Sequence, residues 1–189
     1  MRRLGSLRRD TRGAAIVEFA IVAPVLMTMV LGLCDLSYQV YAKAILNGAM
    51  QKAARDSAIQ GGANNTAALD AKVTAMVQNI AKNATIVFTR KNYDSFSVIK
   101  PEPFTDTNGN GVRDAGECYT DINGNSQWDA DPGVNGQGGA NDVTLYTATV
   151  TYPRLFPLFG ATQTITANTL LKNQPYASQT TTTPTTVCT

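Results

Sequence analysis

No histidine occurs among the 189 residues, and both charged residues (16%) and aromatic residues (7%) are scarce. Without histidine the chain cannot hold a Ser-His-Asp or Cys-His site, a His-ligated zinc or a histidine pH switch. A P-loop pattern is also missing, and no paired acids stand outside one acidic stretch, so the sequence reads as a non-enzyme. The length suits one modest domain with appendages and excludes a large two-lobed enzyme. Fifteen glycines, eight prolines and a threonine-rich end place a good part of the chain outside a small core.

The net charge of +2 hides an asymmetry: Arg2, Arg3, Arg8, Arg9 and Arg12 face a single acid, Asp10, within residues 1–13. These arginines adjoin an apolar run rather than a soluble domain, so they read as juxtamembrane and not as a nucleic-acid arm. The run extends from Ala14 to Cys34 with Glu18 as its one charge, about 30 Å of helix at 1.5 Å per residue, the thickness of a bilayer core. The positive-inside rule puts the N-terminus in the cytoplasm and the rest across the membrane, a single pass. A cleaved secretory signal is the competing reading, but the run exceeds the usual apolar region of about 7–15 residues. Pro24 removes one hydrogen bond from the middle of the span, which membrane helices tolerate. Glu18, one turn into the span, either awaits a partner or snorkels to the headgroups.

Beyond the span, residues 35–60 continue as helix, with Leu33, Leu36, Val40 and Ala44 spaced along one face that would dock on the exported domain. Gly61-Gly62 would stop it. Thr66 is a candidate N-cap for a second helix, with Asp70 in its first turn and Leu69, Val73, Met76 and Ile80 facing a core. Residues 84–90 and 93–99 read as a hairpin turning at Lys91-Asn92, and residues 143–152 and 164–171 as two more strands. The expected class is α+β, a long N-terminal transmembrane helix running into a second helix and about four antiparallel strands. The chain divides into a basic leader (1–13), the span (14–34), an exported helical and hairpin part (35–100), an acidic insertion (101–142), C-terminal strands (143–176) and a tail (177–189). Seven threonines from Ser178 onward give that tail a disordered composition.

The insertion holds eight acids and one base between residues 102 and 142. Within it, Asp106, Asn108, Asn110, Gly111, Val112, Asp114 and Glu117 satisfy D-x-[DN]-x-[DN]-G-x5-E, the spacing of a twelve-residue calcium loop. Asp106, Asn108, Asn110, Asp114 and Glu117 would offer side-chain oxygens and Val112 its carbonyl, a donor set for a hard cation such as Ca²⁺. Pro101 and Pro103 leave no room for a preceding helix, so the loop would act as a staple and not as an opening EF-hand. An ordinary solvated turn region is the bland alternative. Asp121, Asn123, Asn125, Gln127, Asp129 and Asp131 repeat the odd-position oxygens without the glycine and the final glutamate, either a weaker second site or a continuation of the first. Cys34, at the end of the span, reads as a small buried apolar residue. Cys118 and Cys188 lie on the exported, oxidising side and form a disulfide if their Cα atoms approach within about 7 Å.

The string Arg12-Gly13-Ala14-Ala15-Ile16-Val17-Glu18-Phe19 resembles the processing site of type IV prepilins, and the run through Pro24 to Ser37 resembles the N-terminus of TadE-like pseudopilins (minor pilins) of tight-adherence, or Flp, pilus systems. The segment 152–176 is similar to the end of the same family. The resemblance implies a pilin-like exported domain, a cut by a prepilin peptidase between Gly13 and Ala14, and assembly with other pilins through Glu18 and Phe19. It also implies the inner membrane of a bacterium, with the exported domain periplasmic or extracellular. The alternative is a single-pass, calcium-stabilised binding or adhesion protein outside any filament. The insertion is a departure from a short TadE-like protein.

Overall fold

The computed structural model describes residues 13–59, 65–157 and 160–188. The basic leader before Gly13 and the Gly61-Gly62 stop therefore lie outside the described residues. A single helix, α1 (Ala14–Ser57), is followed by α2 (Thr66–Gln78), β1 (Thr85–Tyr93), β2 (Cys118–Asp121), β3 (Val134–Asn135), β4 (Val143–Pro153), β5 (Thr162–Lys172) and β6 (Thr185–Cys188). Strands β3, β1, β4 and β5 form one antiparallel sheet in that order, and β2 and β6 form a second, two-stranded one. The expected α+β class with a four-stranded antiparallel sheet is what the structure shows.

Alternation sets the faces of the sheet. Along β4, Tyr146, Ala148, Val150 and Tyr152 are buried and the intervening threonines are not, the pattern of an antiparallel sheet packed on one side only. Ala148 pairs with Ala167, and the helix face above them carries Ala42, Leu46, Ala49, Met50, Ala53 and Ala54, all buried. Small side chains on both surfaces let the helix backbone come close to the sheet, and Leu46 and Met50 fill what remains. The opposite sheet face is lined by threonines, with Thr151 and Thr164 hydroxyls 3.1 Å apart.

The docking face of α1 differs from the one its apolar spacing suggests. Leu33, Leu36 and Val40 are 61%, 57% and 70% exposed, and Ala44 is exposed as well. The small-residue stripe, not the large-residue one, meets the sheet. Cys34 is likewise exposed rather than buried. At the start of α2 the cap is Asn65, whose side chain accepts the Ala68 amide, one residue before Thr66. Leu69 and Val73 are buried as expected, joined by Val77, while Met76 and Ile80 are half-buried.

Two further expectations are corrected. The residue pair Lys91-Asn92 does not turn: β1 runs straight through it, because those residues pair with Leu145 and Thr144 on one side and with Asn135 and Val134 on the other. Phe96–Val98 is a single 3-10 turn, not a strand. The end of the threonine-rich tail is ordered as β6, held by its pairing with β2 and by a Cys118–Cys188 disulfide. The β-branched run Thr185-Thr186-Val187 is as suited to a strand as to a disordered tail once an edge is present to pair with.

A half-buried polar cluster ties α2 to the sheet. Asp70 of α2 takes two hydrogen bonds from Arg90 (2.5 and 3.0 Å) and one from the Tyr146 hydroxyl (2.5 Å), while the Arg90 guanidinium stacks 4.1 Å from the Tyr146 ring. Burial, followed by the Asp70 hydrogen bond, pushes the Tyr146 hydroxyl well above its ordinary range, so it donates to Asp70 at every physiological pH.

Candidate functional site

Two regions carry the residues singled out by sequence, and they lie at opposite ends of the chain's architecture. The first is the start of α1. Gly13 is the N-cap, with its carbonyl accepting the Val17 amide at 3.1 Å, and the helix proper opens at Ala14. Glu18 and Phe19 are exposed, Phe19 at 71%. A Cβ at Gly13 would meet nothing within 4 Å among the described residues, so none of them requires a glycine there. The apolar segment that follows is long and apolar enough to cross a membrane once, and none of its most hydrophobic window is buried within the chain.

The second region is the acidic insertion, where the structure reveals an internal repeat. Residues 102–116 and 117–131 are two fifteen-residue copies, EPFTDTNGNGVRDAG and ECYTDINGNSQWDAD. In the first, Asp106 accepts the amides of Gly109, Asn110 and Gly111 at 2.7, 3.2 and 2.8 Å. In the second, Asp121 accepts those of Gly124, Asn125 and Ser126 at 2.7, 3.3 and 2.7 Å. Asn108 and Asn110 each donate to one oxygen of Asp114 at 2.7 Å, and Asn123 and Asn125 do the same to Asp129 at 2.8 and 2.7 Å. Ser126 adopts φ 59°, matching Gly111 at 76°, so the missing glycine of the second copy leaves the turn intact, with the residue held in the left-handed region.

Each loop is closed by a glutamate from the other copy's start. Glu117 accepts the Thr107 amide at 2.8 Å and the Asp114 amide at 3.0 Å. Glu102 does the same for the second loop, accepting Ile122 at 2.7 Å and Asp129 at 3.0 Å. The glutamate that the second loop lacks in sequence is thus supplied from upstream, and Glu102 is the functional candidate that a left-to-right motif search misses. The fifteen-residue period was the signal that would have found it. The exchange is reinforced by reciprocal backbone bonds, Thr105 to Cys118 and Thr120 to Pro103, both 2.8 Å, which bridge Phe104 and Tyr119. Trp128 packs edge-on to Phe104, and Arg113 lies over Tyr119 in the matching place. Both glutamates are buried, Glu102 at 1% and Glu117 at 3% exposure.

Not every expected ligand joins a loop. Asp131 is drawn onto the main sheet, accepting Lys91 at 2.6 Å and the Tyr93 hydroxyl at 2.8 Å. The Gln127 amide donates to the Asn125 side chain at 2.7 Å, just as Val112 donates to Asn110 at 2.8 Å. Among the described residues no three His, Cys, Asp or Glu gather as a metal cluster; each loop instead mixes its carboxylates with asparagine and backbone groups.

The hydrogen bonds set the acid behaviour of the first loop. The Gly111 amide, with those of Gly109 and Asn110, holds the Asp106 carboxyl below the usual range, and the Asp114 and Thr107 amides do so for Glu117. A carboxyl lowered on folding stabilises the fold above its ordinary value, and that contribution disappears as pH falls through the lowered value. The Gly111 and Asp114 amide resonances are therefore expected to stay fixed from neutral pH down through the ordinary carboxylate range and to move only below it. Movement on raising the pH from neutrality instead would contradict the assignment.

The fold and these two regions define a stalk-and-head protein: a membrane-length helix carrying a small α+β domain with a duplicated, oxygen-rich loop unit. Residues 13–55, most of the stalk, match the model of the family described as TadE-like protein. The match ends within α1 and does not reach the head. No curated protein and no solved structure matches the chain.

Proposed function

We propose that the protein is an inner-membrane-anchored pseudopilin or minor pilin, cut after Gly13 by a prepilin peptidase and acting in assembly of a tight-adherence (Flp) pilus. The observation that carries this reading is the family match beginning at Gly13 itself and running along the stalk. Several features support it. The helix opens at the residue that the cut would make first. Glycine at the cut gives the peptidase backbone freedom and no side chain to clear, in keeping with a position that the protein's own packing leaves unconstrained. The cut would leave an α-ammonium at Ala14, which the Glu18 carboxylate of a neighbouring pilin can neutralise in a low-dielectric setting. Other pilins of the machinery and the membrane are then the partners of the stalk, with Phe19 on the same exposed surface.

The test is the intact mass of the protein from membranes of cells with and without the peptidase. A peptidase-dependent loss of residues 1–13, with the apolar helix retained, is the expected result. An unchanged mass would leave a plain membrane anchor.

A second reading, favoured by the duplicated loops, concerns the head. We propose that the unit binds Ca²⁺, one ion per loop. Asp106, Asn108, Asn110, Asp114 and Glu117, with the Val112 carbonyl, would hold the first ion. Asp121, Asn123, Asn125 and Asp129, with Glu102, would hold the second. The donors are all oxygens, as a hard cation requires, and the asparagine amides that now lie on Asp114 and Asp129 do electrostatically what a cation would do better. The ion would staple a segment with few apolar residues. Whether in a pilus or as a free-standing adhesion protein, such a head would be stiffened by extracellular calcium. Chelation is expected to speed proteolysis within residues 119–141 severalfold; equal cleavage with and without calcium would remove the staple.

A further inference from the structure

The turn joining β4 to β5 sits at the level where the stalk leaves the bilayer. Asp35 is the first charged residue of α1 after Glu18, so a span over 14–34 puts it at the far membrane boundary. Arg154, the first residue after β4, donates to Asp35 at 2.5 Å, and both side chains are largely buried. One turn along α1, Tyr38 packs edge-on against Tyr152 with ring centroids 5.7 Å apart. At the other end of the sheet, the Gln174 amide just beyond β5 donates to the Ala58 carbonyl at 2.8 Å, next to the end of α1. The sheet therefore runs parallel to the stalk, and its β4–β5 end faces the bilayer.

What that end presents is apolar. The turn is closed by the Arg154 amide on the Ala161 carbonyl at 3.1 Å. Leu155 is 51% exposed, and the sequence carries no charge between Arg154 and Lys172. Between Arg154 and the stalk lies an open groove of about 720 Å³, reaching from Asp35 past Leu33 and Met29 to Val25. Val25 is about 15 Å nearer the membrane centre than Asp35 at 1.5 Å per residue. The groove is thus continuous with the lipid-facing side of the span. Tyr38 and the exposed Tyr41 lie where aromatic side chains favour the membrane–water interface.

We propose that Leu155 and Phe156 form a second membrane contact, resting in the interfacial layer of the outer leaflet while acyl chains fill the groove beside α1. The Arg154–Asp35 pair brings no net charge to that layer and locks the turn to the stalk. Two points of contact would fix the tilt of the head over the bilayer, where a single helix leaves it free. The inference rests on the reading of α1 as a membrane span, and the experiment separates the two.

The full-length protein, with Cys34→Ser leaving the disulfide as its remaining cysteines, is reconstituted in phosphatidylethanolamine–phosphatidylglycerol vesicles. A thiol-linked environment-sensitive fluorophore is placed at Leu155→Cys, at Leu26→Cys within the span, or at Thr149→Cys on the threonine face of the sheet. Brominated lipid is expected to quench the position-155 probe at least half as strongly as the position-26 probe and to leave position 149 unchanged. Quenching at 155 no greater than at 149, with 26 quenched, would overturn the membrane contact. A probe at 155 shielded from aqueous iodide but untouched by brominated lipid would also overturn it, in favour of a protein partner. Absence of quenching at 26 would remove the span and the contact together.

Discussion

Replacing Glu102 with alanine is expected to lower the stability of the head by about 3 kcal/mol in calcium-free solution and, on the two-ion reading proposed above, to reduce bound calcium from two ions to one. The side chain is 1% exposed and its two oxygens accept the Ile122 and Asp129 amides. Hydrogen bonds to a charged acceptor contribute roughly 1.5–3 kcal/mol each, and buried amides left without an acceptor add a desolvation cost. The two bonds share one side chain and do not add fully. Glu102→Gln keeps the shape but turns one acceptor into a donor facing an N–H, so it should lose nearly as much. The readout is built in: Trp128, the one tryptophan, donates its indole N–H to the Glu102 carbonyl at 2.9 Å. Urea unfolding followed by Trp128 emission, with calcium titration of the same samples, checks both halves. A variant that still binds two ions with an unshifted midpoint would show that the second loop closes without Glu102.

The second large effect belongs to the tail. Cys188→Ser should strip amide-exchange protection from residues 177–188 and lower overall stability by about 2–4 kcal/mol, the usual cost of losing a native disulfide. The bond links positions 70 apart in sequence, and closing a loop that long restricts the unfolded chain by about 4 kcal/mol in the entropic account. What remains to hold the tail is modest. Strand β6 pairs with β2, Gln179 donates to Asp142 and to the Asp94 carbonyl at 2.8 Å, and the Thr182 amide donates to Asp94 at 3.0 Å. Amides of β4 and β5 should keep their protection in the variant, because their ladder and the Ala148–Ala167 contact with α1 do not involve the tail. Protection of Thr185–Cys188 that survives the substitution would show that strand pairing alone suffices.

Legibility in the sequence followed the range of the forces at work. The stalk was readable because a membrane-length apolar run bounded by arginines is a local pattern, and β4 and β5 because stretches of apolar–polar alternation, such as Tyr146–Tyr152, survive in any partner context. The side of α1 that docks was not readable from hydrophobicity. Leu33, Leu36 and Val40 look like a core stripe, but the sheet offers Ala148 and Ala167, and a flat alanine surface is matched by alanines on the helix. Lys91-Asn92 has turn composition, yet two flanking strands supply pairing partners and keep it extended. In the insertion, the first loop was legible as a motif and Cys118–Cys188 as a possibility that compartment allowed. The second loop's closure was hidden because Glu102 precedes Asp121 by nineteen positions, and only the fold brings the two together.

The reciprocal closure carries a consequence for how such a unit can change in length. Each copy opens with the glutamate that its neighbour needs, so two copies make a closed ring of obligations and one copy makes none: a lone fifteen-residue segment would hold its acid against nothing and leave its own loop unlatched. Deleting either copy would unlatch the loop of the one that stays, so this unit can be lost only as a whole and not by halves.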